Sequence, residues 1–233
     1  MRSHRVDAAV FAVAATVFGL VALALLWSGD WAYVALANAS GHTSATFVVP
    51  PERREACGQV MFMDLARLRE QHHGWATYVV GASEFQVGPA CSLFTSDERS
   101  HMADVRAVFR GAEIAALLAL VVAAVRIARA RGRGVALRLV RAGALLAAGM
   151  VAVIGVGAAV AFDPLFLLFH EVFFPQGNFL FGSDSNLLRL YPEWYWQGIT
   201  AGVGLSFVAA ALVTAATSHI ALRRRSNTYT PAG

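Results

Sequence analysis

Two histidines in this chain stand where polar sequence gives way to apolar runs. His101 lies in FTSDERSHMADVRAVF, Phe94 to Phe109, and Asp104 follows it by three residues. On a helix that spacing puts carboxylate and imidazole on one face, so Asp104 can orient the ring or stabilise its charged form. His170 lies in LFHEVFFPQGNFLFGSDSN, Leu168 to Asn186. Histidine is the side chain whose ordinary titration falls near neutral pH, so residues of this type at a lipid edge point to general acid and base chemistry. Each also has a plain structural reading: a lone interfacial histidine is usually hydrogen-bonded framework, and Asp104 near a helix start favours the dipole.

The elements that must hold them can be read from spacing. Thr95 followed by Glu98 is a capping box, so a helix is expected from about Ser96 running unbroken into the apolar run beyond, with His101 in its second turn just above lipid. Asp163 and Pro164 read as N-cap and first helical position, and Pro175 closes the segment, giving a helix of about three turns over PLFLLFHEVFF. Leu165, Phe166, Phe169 and Phe173 form its apolar side, which suits a membrane interface and brings His170 to the same depth as His101.

The class of the protein follows from composition. Of 233 residues 57% are hydrophobic, and uncharged runs of about 20 residues recur, the length that crosses about 30 Å of hydrocarbon. Four spans are expected, at about 8–27, 105–128, 142–162 and 198–220. The first continues into Trp27, Trp31 and Tyr33 instead of a small-residue cleavage site, so it reads as an uncleaved anchor. In the second, Arg110 can snorkel and pair with Glu113 one turn on. The fold expected is an all-α membrane protein of four transmembrane helices, a single membrane domain over 1–233.

Every basic residue other than histidine is arginine. Arg126, Arg129, Arg131, Arg133, Arg138 and Arg141 crowd the loop between spans two and three, Arg223, Arg224 and Arg225 follow span four, and Arg2 and Arg5 precede span one. The positive-inside rule makes that side cytoplasmic, with both termini on it. The basic pI of 9.6 is then a matter of topology, and no nucleic-acid partner is called for.

Two segments are left outside, a cap over about 29–102 and a loop over about 163–197. In the cap, ATFVVP (Ala45 to Pro50) and WATYVVG (Trp75 to Gly81) read as strands, and QVMFMDLARLRE between them as a short amphipathic helix. Cys57 and Cys91 are the two cysteines, and an oxidising compartment would permit a bridge between them; a catalytic cysteine is the sharper alternative, but nothing local activates either thiol. The adjacent His72 and His73 point to different helix faces and lack companion ligands, so they read as surface residues and not as a metal pair. His42 and His219 show no evident partners in sequence.

ERSHMADVR, FDPLFLLFHEVFF and DSNLLRLYPEWYW, in this order on a four-span chain, resemble the bacterial lipoprotein intramolecular transacylase family. The likeness is close over about Phe94 to Trp196 and rests on topology elsewhere. It implies an enzyme that moves the sn-2 acyl chain of a diacylglyceryl-modified lipoprotein to the α-amino group of its N-terminal cysteine, leaving a lyso-form lipoprotein. It implies His101 and His170 as the functional pair, and membrane lipid as the surroundings. One departure is that Phe179 or Phe181 stands where a tryptophan is typical.

The residues agree with that reaction. In an intramolecular transfer the substrate amine is the nucleophile, so the protein needs a base, an acid and donors for the oxyanion, and no cofactor or metal. Asp184 is a candidate to orient a histidine. Ser183, Ser185, Asn178 and Tyr191 are candidate donors to the ester carbonyl or the diacylglyceryl linkage, although such residues are common in turns for local reasons. Two other classes compete: a haem-binding or quinone-linked redox bundle, which wants histidines facing each other within the spans, and a non-enzymatic scaffold whose cap binds another protein.

Overall fold

The computed structural model describes residues 2–81 and 93–228. It contains four helices long and apolar enough to cross a membrane: α1 (Arg2–Trp27), α5 (Ser96–Gly132), α6 (Ala136–Val160) and α9 (Glu193–Thr228). The protein is an all-helical, multi-pass membrane protein with one small two-stranded sheet among the described residues.

Two compact units are built from interleaved pieces of chain. The first takes the stretch up to Ala24, Ala112–Val160 and the chain from Ala201 on. Its interior is made of small side chains: Ala8, Ala12, Ala14, Ala119, Ala123, Ala147, Ala148 and Ala211 are all buried. In lipid there is no hydrophobic drive between helices, so close approach over small residues supplies the packing. Gly143 of α6 meets the Phe11 ring of α1, and an added Cβ there would lie 2.3 Å from Cδ1. The larger apolar side chains Leu117, Leu118, Val121, Val153, Ile154, Leu205 and Val213 point outward, as lipid-facing residues do. Asp7 accepts from Arg126 at 2.6 Å and Arg133 at 3.0 Å.

The second unit takes Leu25–Gly111 and Ala161–Thr200. It begins with α2 (Asp30–Ser40), then β1 (Ser44–Val48), a helical turn that ends as α3 (Arg54–Cys57), β2 (Val60–Asp64) and α4 (Leu65–Val80). After the first turns of α5 come α7 (Phe162–Phe173), α8 (Asn186–Leu190) and the start of α9. The strands pair antiparallel with Thr46 opposite Phe62 and Phe47 opposite Met61. Phe47, Val49, Met63, Leu68, Trp75, Phe94, Leu187, Leu190 and Tyr191 form the core.

Two expectations for this region are overturned. WATYVVG is the last two turns of α4, not a strand, and QVMFMDLARLRE is split between strand β2 and the start of α4. The β-branched composition of WATYVVG is outweighed by a longer period: Leu68, His72, Trp75 and Val79 are all buried, one stripe at helical spacing. The switch occurs at Asp64, whose side chain accepts from Arg67 N at 3.0 Å and caps the helix. Before it, VMFMD alternates, with Met63 buried and Val60 and Phe62 exposed.

His72 is likewise not a surface residue. It is 1% exposed and stacks on Tyr33, ring centroids 4.6 Å apart. Its Nε2 lies 3.1 Å from the Ser28 carbonyl, which can only accept, so its Nδ1 accepts from the Tyr191 hydroxyl at 3.2 Å. Burial pushes the His72 pKa down, against the opposing pull of Asp30. His73 is exposed and paired with Asp30 at 3.1 Å. His42 stacks on Trp194, and His219 Nδ1 lies 3.0 Å from the Arg141 guanidinium.

Candidate active site

Helix α5 starts as its spacing predicts. Thr95 N donates to Glu98 Oε2 at 2.8 Å and Glu98 N to Thr95 Oγ1 at 3.2 Å, both halves of a capping box. One turn further on, His101 is 6% exposed. Helix α7 starts one residue before Asp163, so the aspartate lies in the first turn instead of at the N-cap, and Pro175 follows its end. Leu165, Leu168, Phe169, Val172 and Phe173 all remain exposed, an apolar face of the kind that lies in a lipid interface.

The two histidines meet. Their ring centroids are 6.1 Å apart and their planes 21° from parallel. Aromatic side chains surround the pair: Phe174 and Phe181 at 4.8 and 5.5 Å from His101, and Phe166, Phe179 and Phe174 at 4.3, 5.2 and 5.5 Å from His170. His170 Nδ1 lies 2.8 Å from the Phe166 carbonyl. A carbonyl accepts only, so Nδ1 carries the proton and Nε2 the lone pair. His101 Nδ1 is buried with no hydrogen-bond partner within the protein.

Asp104 sits one turn beyond His101 and reaches across to the segment after α7. Its Oδ2 accepts from Gln176 Nε2 at 2.9 Å and Asn178 Nδ2 at 2.5 Å. The Asn178 amide in turn hydrogen-bonds toward the His101 ring. Asp104 therefore bears on His101 through Asn178, by holding the loop that carries Phe179 and Phe181. Gly177, between the two amides, has φ +77, a left-handed conformation that glycine adopts without steric cost.

The other sequence-derived candidates fall elsewhere. Asp184 and Ser183 are exposed, and the Ser183 carbonyl accepts from Arg189. Ser185 is buried, and its hydroxyl donates to Glu98 Oε1 at 2.6 Å while capping α8 by accepting from Leu188 N. Tyr191 is buried with its hydroxyl on His72; burial, with help from Tyr195 and Tyr33, pushes its pKa well up, so it is a neutral donor. Among the described residues no cysteine is free, and Cys91 lies outside them.

Sequence reasoning missed the weight of two residues here. Glu98 is 2% exposed and does more than cap, and Asn186 donates to the Val48 and Leu93 carbonyls at 2.6 and 2.5 Å while accepting from Val48 N at 2.9 Å. Their partners are remote in sequence, and the local signal was confined to the Thr95–Glu98 spacing.

The family model of the lipoprotein intramolecular transacylase matches residues 10–196 of the chain. The fold is shared with the membrane-integral lipoprotein intramolecular transacylase of Bacillus cereus: TM-score 0.72, 15% identity, covering 97% of this chain and 98% of that one. Two structures of the Bacillus cereus protein with one histidine replaced, by arginine or by alanine, superpose with TM-score 0.70 at 14% identity. No curated protein matches in sequence.

Proposed function

Because the chain belongs to the lipoprotein intramolecular transacylase family, we propose that it moves the sn-2 acyl chain of a diacylglyceryl lipoprotein to the α-amino group of the N-terminal cysteine, with His101 and His170 as acid and base. The observation that carries this is the meeting of the two rings in an aromatic box at the edge of an exposed apolar helix face.

In the proposed step the amine nitrogen attacks the sn-2 ester carbonyl. The N–C bond forms, the bond from carbonyl carbon to glyceryl oxygen breaks, one proton leaves the amine and one arrives on the glyceryl oxygen. His170 suits the base, since its Nε2 bears a lone pair fixed by the Nδ1 bond to Phe166; His101, entering protonated, gives its own proton to the leaving oxygen, and the proton taken by His170 passes to it to restore the pair. Asp104 and Asn178 hold the loop and the His101 ring, while Ser183 and Asp184, exposed on the following turn, are available to the substrate's glyceryl and peptide portions. Ser185 and Tyr191 act as framework, their hydroxyls being engaged by Glu98 and His72.

Diacylglyceryl lipoproteins and the surrounding lipid are the partners of this reaction, and the bundle sits in the bacterial cell membrane with the histidines facing outward and both termini cytoplasmic. The arginine clusters support that orientation. A Cys57–Cys91 bridge fits an outward cap, where an oxidising compartment keeps such bonds. Labelling of introduced cysteines near Asn178 and near Arg131 tests sidedness: reagent confined outside should reach the first and not the second, and the reverse pattern would overturn the placement. A Soret band in the purified protein would instead favour the redox reading.

A further inference from the structure

We infer that Glu98 is a positioning residue for the transfer, fixing the turn of α5 that presents His101; this rests on the reading of His101 as catalytic. The Glu98 carboxylate is almost fully buried and takes three donors: Thr95 N at 2.8 Å on Oε2, and Ser185 Oγ at 2.6 Å and Leu187 N at 2.9 Å on Oε1. A capping box needs the first of these bonds; the other two join α5 to the start of α8, more than 80 residues away along the chain by the separation of 87 between Glu98 and Ser185.

His101 lies three residues after Glu98 and three before Asp104, so all three share a face of α5. The segment from Phe174 to Leu187 is strapped along that face. Asp104 holds its beginning through Gln176 and Asn178, and Glu98 holds its end through Ser185 and Leu187. Phe181, between the two ties, and Phe174, just before the first, pack on the His101 ring. The two ties differ in setting: the bonds at Asp104 are exposed or part-buried, whereas those from Ser185 and Leu187 to Glu98 are buried.

The His101 ring has no hydrogen-bond partner on Nδ1 within the protein, so its orientation depends on its bond with Asn178, on the Phe174 and Phe181 contacts and on where the helix turn sits. Loosening the buried tie shifts both at once. A displacement of about 1 Å at a catalytic group is enough to cost about a hundredfold in rate while leaving ground-state binding nearly intact. Glu98 touches neither ring, so its effect passes through the placement of His101 and of the strap.

The test is steady-state conversion of a synthetic diacyl lipopeptide by purified full-length protein, with kcat, KM and melting temperature measured for Glu98→Gln, Glu98→Leu, Ser185→Ala, the Glu98→Leu/Ser185→Ala pair and His101→Ala. Glu98→Leu should lower kcat at least about tenfold with KM within about threefold, and Glu98→Gln, which keeps an oxygen for Ser185 and Leu187, should recover most of it. Ser185→Ala should lower kcat in the same sense, and the Leu/Ala pair should fall short of the product of the single effects, since Glu98→Leu and Ser185→Ala both remove the bond between the two residues. If Glu98→Leu does not fold, the matter is decided by the same kcat split, read in Ser185→Ala and in a Leu187→Pro variant that removes the second buried donor. Unchanged kcat in these variants, or losses that follow melting temperature alone, would overturn the inference while leaving His101→Ala inactive. Retained conversion by His101→Ala would instead overturn the reading on which it rests.

Discussion

The Nδ1 of His170 lies 2.8 Å from the carbonyl of Phe166, one turn back on the same helix, and this bond turns Nε2 into the ring's free base. A residue that was one more aromatic in a run of apolar letters thus decides the tautomer of the histidine beside His101. Because the acceptor is backbone, the arrangement survives substitution of Phe166 as long as α7 stays helical.

Removing either imidazole should abolish turnover without unfolding the protein. His101→Ala and His170→Ala are each expected to lower conversion of diacyl lipopeptide by about a hundredfold or more, the usual scale of one acid or base group. Full activity in either variant, measured on protein that elutes and melts like the parent, would remove that histidine from the mechanism.

Asp104→Ala releases both Gln176 and Asn178. Those bonds are partly solvated, so the cost in stability should be small, about 1 kcal/mol, while activity should fall about tenfold as the loop and its aromatic rings lose their anchor. Asp104→Asn keeps one accepting oxygen and should retain more activity than the alanine variant. Comparing initial rates at saturating lipopeptide distinguishes the two.

His72 makes stability depend on pH in a calculable direction. Burial holds its folded pKa below the ordinary value of 6.5, so below that value the unfolded chain takes up a proton that the folded one refuses. The contribution is fully present above pH 6.5 and is lost as pH falls from there toward the folded pKa. His72→Phe should flatten this slope in thermal melts taken across the same window. It should also cost about 1–3 kcal/mol, by leaving the buried Tyr191 hydroxyl without its acceptor. A slope unchanged by the substitution would assign the dependence to another group.

In the first unit, Gly143→Val should be among the more damaging single changes. Its Cβ would fall 2.3 Å from the Phe11 ring, and overpacking of this kind costs about 1–3 kcal/mol. Gly149→Val, at a glycine with open space around it, is the control, and melting of the two in detergent should separate clearly.

The four spans and the capping box at Thr95 and Glu98 were legible because each rests on local signals, length, period and cap chemistry; His101 and His170 could each be placed beside an apolar run, but their ring contact could not. What escaped was set by partners remote in sequence. WATYVVG reads as a strand by residue type, and only the stripe Leu68, His72, Trp75 and Val79 over the preceding turns marks it as helix. His72 looks like a surface residue until Ser28 and Tyr191 arrive from 44 and 119 residues away. Asp184, the acid nearest in type to a histidine partner, stands exposed on its loop, while Glu98, which resembled an ordinary cap, is the buried one.

In an intramolecular transfer the acyl group on the cysteine nitrogen comes from the same lipoprotein molecule. A diacyl lipopeptide carrying an isotopically labelled sn-2 chain, incubated with purified protein in unlabelled lipid, tests it by mass spectrometry. The label should be kept and move to nitrogen, with no gain in acyl mass, and in His101→Ala and His170→Ala it should stay on glycerol. An unlabelled chain gained from phospholipid, or label held on the enzyme, would contradict the intramolecular route.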